Sequence, residues 1–448
     1  MKSKTLTYIT AMTVFAAQLT SIRLVAQDQE EHHKKRTHYL VKDLGTLGGT
    51  AGVAEGISDR GWVVGDANLA GDQSGHAFLW RDGVMTDLGT LGGLNSQEQW
   101  PVKDNRGLIV GDAETSAMDP FNEDFCGFDA NSGVPPTGLI CLGFLWHDGV
   151  MTALPTLGGN NAQADAVNNL GEVAGLAETA TLDPRCVFPQ VLDVEAVAWG
   201  PKAGQIRELP PLPGDISSWA TGINDHEQVV GLSGNCVSPN FNLTHMVPQH
   251  GVIWENGTVT DLGNLGGTLS TFPWAINSKG QAVGQAYIAG DIYIHTFLWE
   301  KGVIKDLGVI PGDVISGAFG LNDRGEVVGG SCDQNFNCRA YLWQDGLMTD
   351  INTLVKPGST PLYLVFGNDI NSQGEIAAYA FDQSNGEFHA AVAIPCEEHA
   401  DNQACNDDSQ GTSTATGGPR ATLPENVRKQ LSKRLGFGRF AVGLTRPH

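Results

Sequence analysis

Apolar residues occur in short runs along this chain, punctuated by glycine, asparagine and aspartate. Val63-Val64-Gly65 is one such run, Phe78-Leu79-Trp80 another, and Asp82-Gly83 separates the second from Val84-Met85. No stretch between Tyr39 and Ile394 holds a convincing helical period, so the pattern predicts strands and tight turns. Three phrases then recur in fixed order. The first, Asp43-Leu-Gly-Thr-Leu-Gly-Gly49, returns from Asp87, with looser copies from Ala153, Glu208, Asp261, Asp306 and Asp350. The second is Gly56-Ile-Ser-Asp-Arg-Gly-Trp-Val-Val-Gly65, matched by Gly320-Leu-Asn-Asp-Arg-Gly-Glu-Val-Val-Gly329; the others centre on Asn105, Asn168, Asn224, Asn277 and Asn371. The third, His76-Ala-Phe-Leu-Trp80, recurs with its end at Trp146, Trp199, Trp254, Trp299 and Trp343, and decays to His389-Ala-Ala-Val-Ala393.

Each copy reads as four strands. The first ends at the Gly-Ile-Asn phrase, the Asn-Asp-x-Gly stretch is a hairpin turn, Val-Val-Gly is the second strand and Phe-Leu-Trp the third. An Asp-Gly turn leads to the fourth. The shortest copies are about 44 residues long, within the range of propeller blades. Seven such copies predict an all-β fold, a seven-bladed β-propeller of four-stranded blades over residues 38–395. The seventh copy lacks its fourth strand, and Tyr39–Leu44 is a fourth strand with no first three before it. Pairing the two closes the ring and removes an open edge.

These phrases resemble the bacterial HAF-type extracellular repeat family, named for a motif such as His76-Ala77-Phe78. The resemblance covers about residues 38–394 and implies an exported repeat protein, with no activity attached to it. Leu142, Glu195 and Arg339 stand where the motif has histidine.

The ends of the chain differ from the array. Residues 1–26 read as a signal peptide, with Lys2 and Lys4 before an apolar stretch, and 27–37 as a linker. Residues 396–420 are a polar linker. Residues 421–448 form a basic tail with a short helix, in which Val427, Leu431 and Leu435 make an apolar stripe behind Pro424. The eight cysteines of an exported chain are expected as Cys126–Cys141, Cys332–Cys338, Cys396–Cys405 and Cys186–Cys236. A net charge of −23 argues against nucleic acid as a partner, and no segment predicts a membrane span. A secreted monomer is the expectation, extracellular or periplasmic.

Chemistry is sparse. Histidines at equivalent repeat positions (His76, His250, His295, His389) fall in different blades and cannot converge on one metal ion. Asp66, Asp72 and Asp291 form no calcium loop, and no nucleophile motif occurs, so neither metal, cofactor nor catalytic residue is predicted. The starts of the first strands vary instead: Glu55, Trp100, Asp165, Thr221, Trp274, Phe319 and Asn368, with Trp219 nearby. Insertions at Ala113–Ile140, Leu176–Asp193 and Leu232–Gln249 fall in consecutive copies, on the face that also carries the links between blades. A ligand site is therefore expected at that mouth of the channel, formed by Trp100, Trp219, Trp274, Phe319, Glu55 and Asp165. The function this implies is a non-catalytic binding module for a glycan or a protein or surface partner. The alternative is a carbohydrate-active hydrolase or lyase using carboxylates at the channel mouth.

Overall fold

The computed structural model describes residues 38–98, 106–123, 125–128, 137–184, 191–202, 204–235, 249–356, 359–396 and 421–434. The predicted signal peptide, both linkers (apart from Cys396) and Trp100 lie outside them. The body is all-β, built of small antiparallel sheets in which consecutive strands pair as meanders. Four successive strands pair antiparallel over each of Gly48–Asp87, Gly92–Ala153, Gly158–Leu209, Ser217–Asp261, Gly266–Gly308 and Ile315–Asp350, and single parallel pairs, Ala51 with Phe388 and Gln249 with Ser270, join the first group to the last and the fourth to the fifth. The last three, Leu362–Ile370, Ile376–Asp382 and Phe388–Pro395, receive a fourth from the other end of the chain. Tyr39–Gly45 runs antiparallel to Phe388–Pro395, with Tyr39 opposite Pro395 and Gly45 opposite Ala390.

The glycine of each Val-Val-Gly phrase has a steric reason. In most sheets the first strand bulges where the second passes it, as between Ala54 and Gly56 or between Pro273 and Ala275. A Cβ on Gly65 would sit 2.0 Å from the Val53 carbonyl oxygen, and one on Gly284 would sit 1.9 Å from that of Phe272. No side chain fits at these two places; the seventh copy has Ala378 at the equivalent position, where its partner across the ladder is Gly367.

The turn asparagines tie neighbouring sheets together. Asn168 Nδ2 donates to the Asn224 carbonyl (3.1 Å), Asn224 to Asn277 (2.9 Å), Asn277 to Asn322 (3.1 Å) and Asn322 to Asn371 (3.0 Å). Asn371 then donates to the carbonyl of Ser58, in the first sheet, at 3.1 Å. The other amide atom holds each asparagine's own hairpin: Asn168 Oδ1 accepts from the backbone of Leu170 and Glu172. One side chain thus closes a turn and staples it to the next sheet, and the amide is buried while doing so.

The repeated histidines bond to aspartates. His76 Nδ1 meets Asp87 at 2.8 Å, His295 meets Asp306, His389 meets Asp43, and His250 meets Asp215. Where Arg339 replaces histidine it is 2% exposed and lies between Asp313 (3.0 Å) and Asp350 (3.4 Å). Burial pushes the Asp350 carboxyl up, against the pull of Asn352 and Arg339.

Cys126–Cys141 and Cys332–Cys338 are disulfides, as the spacing led one to expect. Two such bonds point to a compartment outside the reducing cytoplasm. Cys396 is also disulfide-bonded, while Cys186, Cys236 and Cys405 lie outside the described residues. No described helix is long and apolar enough to cross a membrane.

The tail is less independent than the sequence implies. Helix Glu425–Arg434 buries Val427 and Leu431, with Leu423 just before it, in a cluster that includes Tyr287, Phe336, Tyr363, Phe381 and Phe388. Leu423 N donates to Asn337 Oδ1, and Arg428 Nη1 to the Asn335 carbonyl. The helix docks because its apolar stripe meets an aromatic floor drawn from three sheets.

Candidate functional site

A cavity of about 110 Å³ opens among the asparagine turns, lined by equivalent residues of six copies. Aliphatic side chains that end the first strands, such as Ile57, Ile223 and Ile276, contribute to the lining, together with the turn asparagines and the residues that follow them. Three of those followers are exposed aspartates. Asp225 Oδ1 and Oδ2 accept from the backbone and side chain of Asn169 (2.8 and 2.9 Å), Asp323 from Ser278 N (2.9 Å) and Asp59 from Ser372 N (2.8 Å). Each carboxylate is thereby oriented by the neighbouring turn. The arrangement offers fixed acceptors over an apolar base, which suits a ligand rich in hydroxyl or ammonium donors.

The residues expected to form an aromatic site beside the insertions are arranged differently. Trp219 is 1% exposed and Trp274 3%, with their rings edge-to-face at 6.0 Å. Asp165 is buried beneath them, accepting from Trp219 Nε1 (2.8 Å) and Gln163 Nε2 (3.0 Å). Phe319 is partly buried and packs edge-on to Phe366 at 5.7 Å, and Glu55 is 5% exposed. The structure does bring Trp219, Trp274 and Asp165 together, but not as an open platform. Phe125, Cys126 and Phe128 of the first insertion pack into the same cluster as the two tryptophans. Other first-strand positions bond across to the next sheet: Thr221 Oγ1 donates to the Pro273 carbonyl and Asn368 Nδ2 to that of Ala54. Their variability reflects packing between unlike neighbours.

The same insertion carries a feature that sequence reading missed. Glu123 is 1% exposed and lies against Glu178 of the next sheet. Burial, then the Glu178 charge and its hydrogen bond, and lastly Asp119, push the Glu123 carboxyl up to about 9. The signal was present as the paired phrases Ala113-Glu114-Thr115 and Ala177-Glu178-Thr179. Among the described residues one group of three metal-ligand types converges, Asp43, Asp382 and His389. Its members are already engaged: His389 bonds Asp43, and Asp382 accepts from Ser384 N and Oγ.

No family model and no curated protein matches this chain. Among solved structures it is similar to a puromycin hydrolase mutant, at 13% identity and TM-score 0.44, covering 78% of this chain and 54% of that one. A gluconolactonase from Xanthomonas campestris is similar at 10% identity and TM-score 0.37, with 80% and 90% covered. The sialidase of Trypanosoma rangeli is similar at 8% identity and TM-score 0.39, with 81% and 57% covered. Likeness at this level bears on no residue of the site.

Proposed function

We propose that this chain is an exported seven-bladed propeller of the HAF-repeat type that acts, as a monomer, as a binding module. Its ligand enters at the mouth carrying the asparagine turns. Closure of the ring is supported by the pairing of Tyr39–Gly45 with Phe388–Pro395 and by the Asn371 bond to Ser58. The observation that carries the binding reading is the cavity bordered by Asp59, Asp225 and Asp323. Carboxylates held by neighbouring backbone amides accept hydrogen bonds without reorganising, and sugar hydroxyls are the matching donors. Nucleic acid is no partner in this reading, because the chain is strongly acidic. A glycan array is the test. Binding should be lost in Asp225→Ala and Asp323→Ala with melting temperatures close to wild type; retention of binding in both overturns the reading.

A second reading has a specific observation behind it. Several carboxylates around one cavity are also what a glycoside hydrolase or lyase needs. If the protein is such an enzyme, a screen of polysaccharides will release oligosaccharides with wild type and none with Asp59→Asn, Asp225→Asn or Asp323→Asn. Binding without turnover by the wild type leaves the first reading standing alone.

A further inference from the structure

The repeat supplies its own control for the Glu123–Glu178 contact. In the second sheet, Glu114 Oε2 accepts from Leu94 N, Asn95 N and Asn95 Nδ2, and its Oε1 accepts from the Thr137 hydroxyl. In the third sheet the equivalent Glu178 repeats half of this pattern: Oε2 accepts from Asn160 N, Asn161 N and Asn161 Nδ2. Its Oε1 is buried and meets no donor. Glu178 lies instead against Glu123 of the first insertion, both of whose oxygens are likewise buried without a donor. Two acceptors therefore face each other. Asp119, a third carboxylate that perturbs Glu123, spends its oxygens on Phe121 N and Asn161 Nδ2.

Two carboxylates buried in contact cannot both stay charged and uncompensated, so they hold either a shared proton or a cation between them. We propose that a calcium ion bridges Glu123 and Glu178. The donor set is all oxygen and carries formal charge, which selects a hard cation. The ligand from the insertion comes from an irregular loop, which accommodates the variable geometry of Ca²⁺ more readily than the strict octahedron of Mg²⁺. Water completes the coordination that the carboxylates begin. The ion pins the first insertion onto the third sheet, and with it Phe125 and Phe128 onto Trp219 and Trp274.

The test uses the full chain, stripped with EDTA and titrated with CaCl₂ at pH 7.5 by calorimetry, with melting followed in parallel. Wild type should take up calcium and melt about 2 °C or more higher in excess Ca²⁺, with a smaller rise in Mg²⁺. Glu123→Gln should lose the calcium response. Equal melting of wild type in EDTA and CaCl₂, with no heat of binding, overturns the proposal in favour of a shared proton; so does an unchanged calcium response in Glu123→Gln. Should that variant fail to fold, hydrogen exchange on wild type decides. Calcium must slow exchange over residues 118–128 more than elsewhere, and uniform exchange overturns the assignment.

Discussion

Replacing Trp274 by alanine separates a packing role from a ligand-binding role at the position where sequence reading placed a binding aromatic. The ring is 3% exposed, stacks with Phe272 at 6.0 Å and meets Trp219 edge-on at the same distance. An aromatic side chain that size buries roughly 150–250 Å², about 4–6 kcal/mol of transfer free energy at ~25 cal/mol per Å². Measured Trp→Ala losses in cores run about 3–5 kcal/mol, so about 4 kcal/mol is expected. For a body of residues 39–395, an unfolding entropy of about 2.1 cal/mol/K per residue converts this to a fall of about 5 °C. The assay is a denaturant melt at matched slope beside thermal melting, with Trp274→Phe as a milder control. A double-mutant cycle with Trp219→Ala should show coupling of about 0.5–1.5 kcal/mol from the ring pair. A loss below about 1 kcal/mol, accompanied by abolished ligand binding, refutes the reasoning and restores the aromatic site.

Other consequences are equally direct. Arg339→Ala leaves Asp313 and Asp350 buried without their cation and should cost about 3–5 kcal/mol, read by urea melts, with Arg339→His recovering part of it. Deleting residues 421–448 should lower the melting temperature and raise binding of a hydrophobic dye, because Leu423, Val427 and Leu431 leave an aromatic floor uncovered; an unchanged melt would show the helix contributes nothing. In EDTA, wild type should lose stability as pH rises from about 5 towards 9. The folded chain keeps a proton on Glu123 that the unfolded chain has released, so the stabilisation is complete at low pH and is lost on approach to the folded value of about 9. Glu123→Gln should flatten that slope, measured by melts across the pH range.

What the sequence settled is what repetition and local chemistry encode. Strand type and turn positions follow from patterns that recur within one copy. The pairing of Tyr39–Gly45 with the last sheet follows from counting strands, and Cys126–Cys141 and Cys332–Cys338 from proximity along the chain. The stripe of Val427 and Leu431 was visible because a helix writes its buried face into its own spacing. What lies across a surface is not written that way. The first insertion and the C-terminal helix have no counterpart in the repeat, so periodicity was silent on where they pack. Docking of the insertion covers Trp219 and Trp274 and sets Glu123 against Glu178, while docking of the helix covers Tyr363, Phe381 and Phe388. The asparagine relay joins residues 45 to 56 positions apart along the array, and Asn371 to Ser58, 313 positions apart. Sequence marked those asparagines as turn formers, since a turn is local. Only the assembled sheets decided that the same amides reach the next sheet and that the aspartates beside them border a cavity.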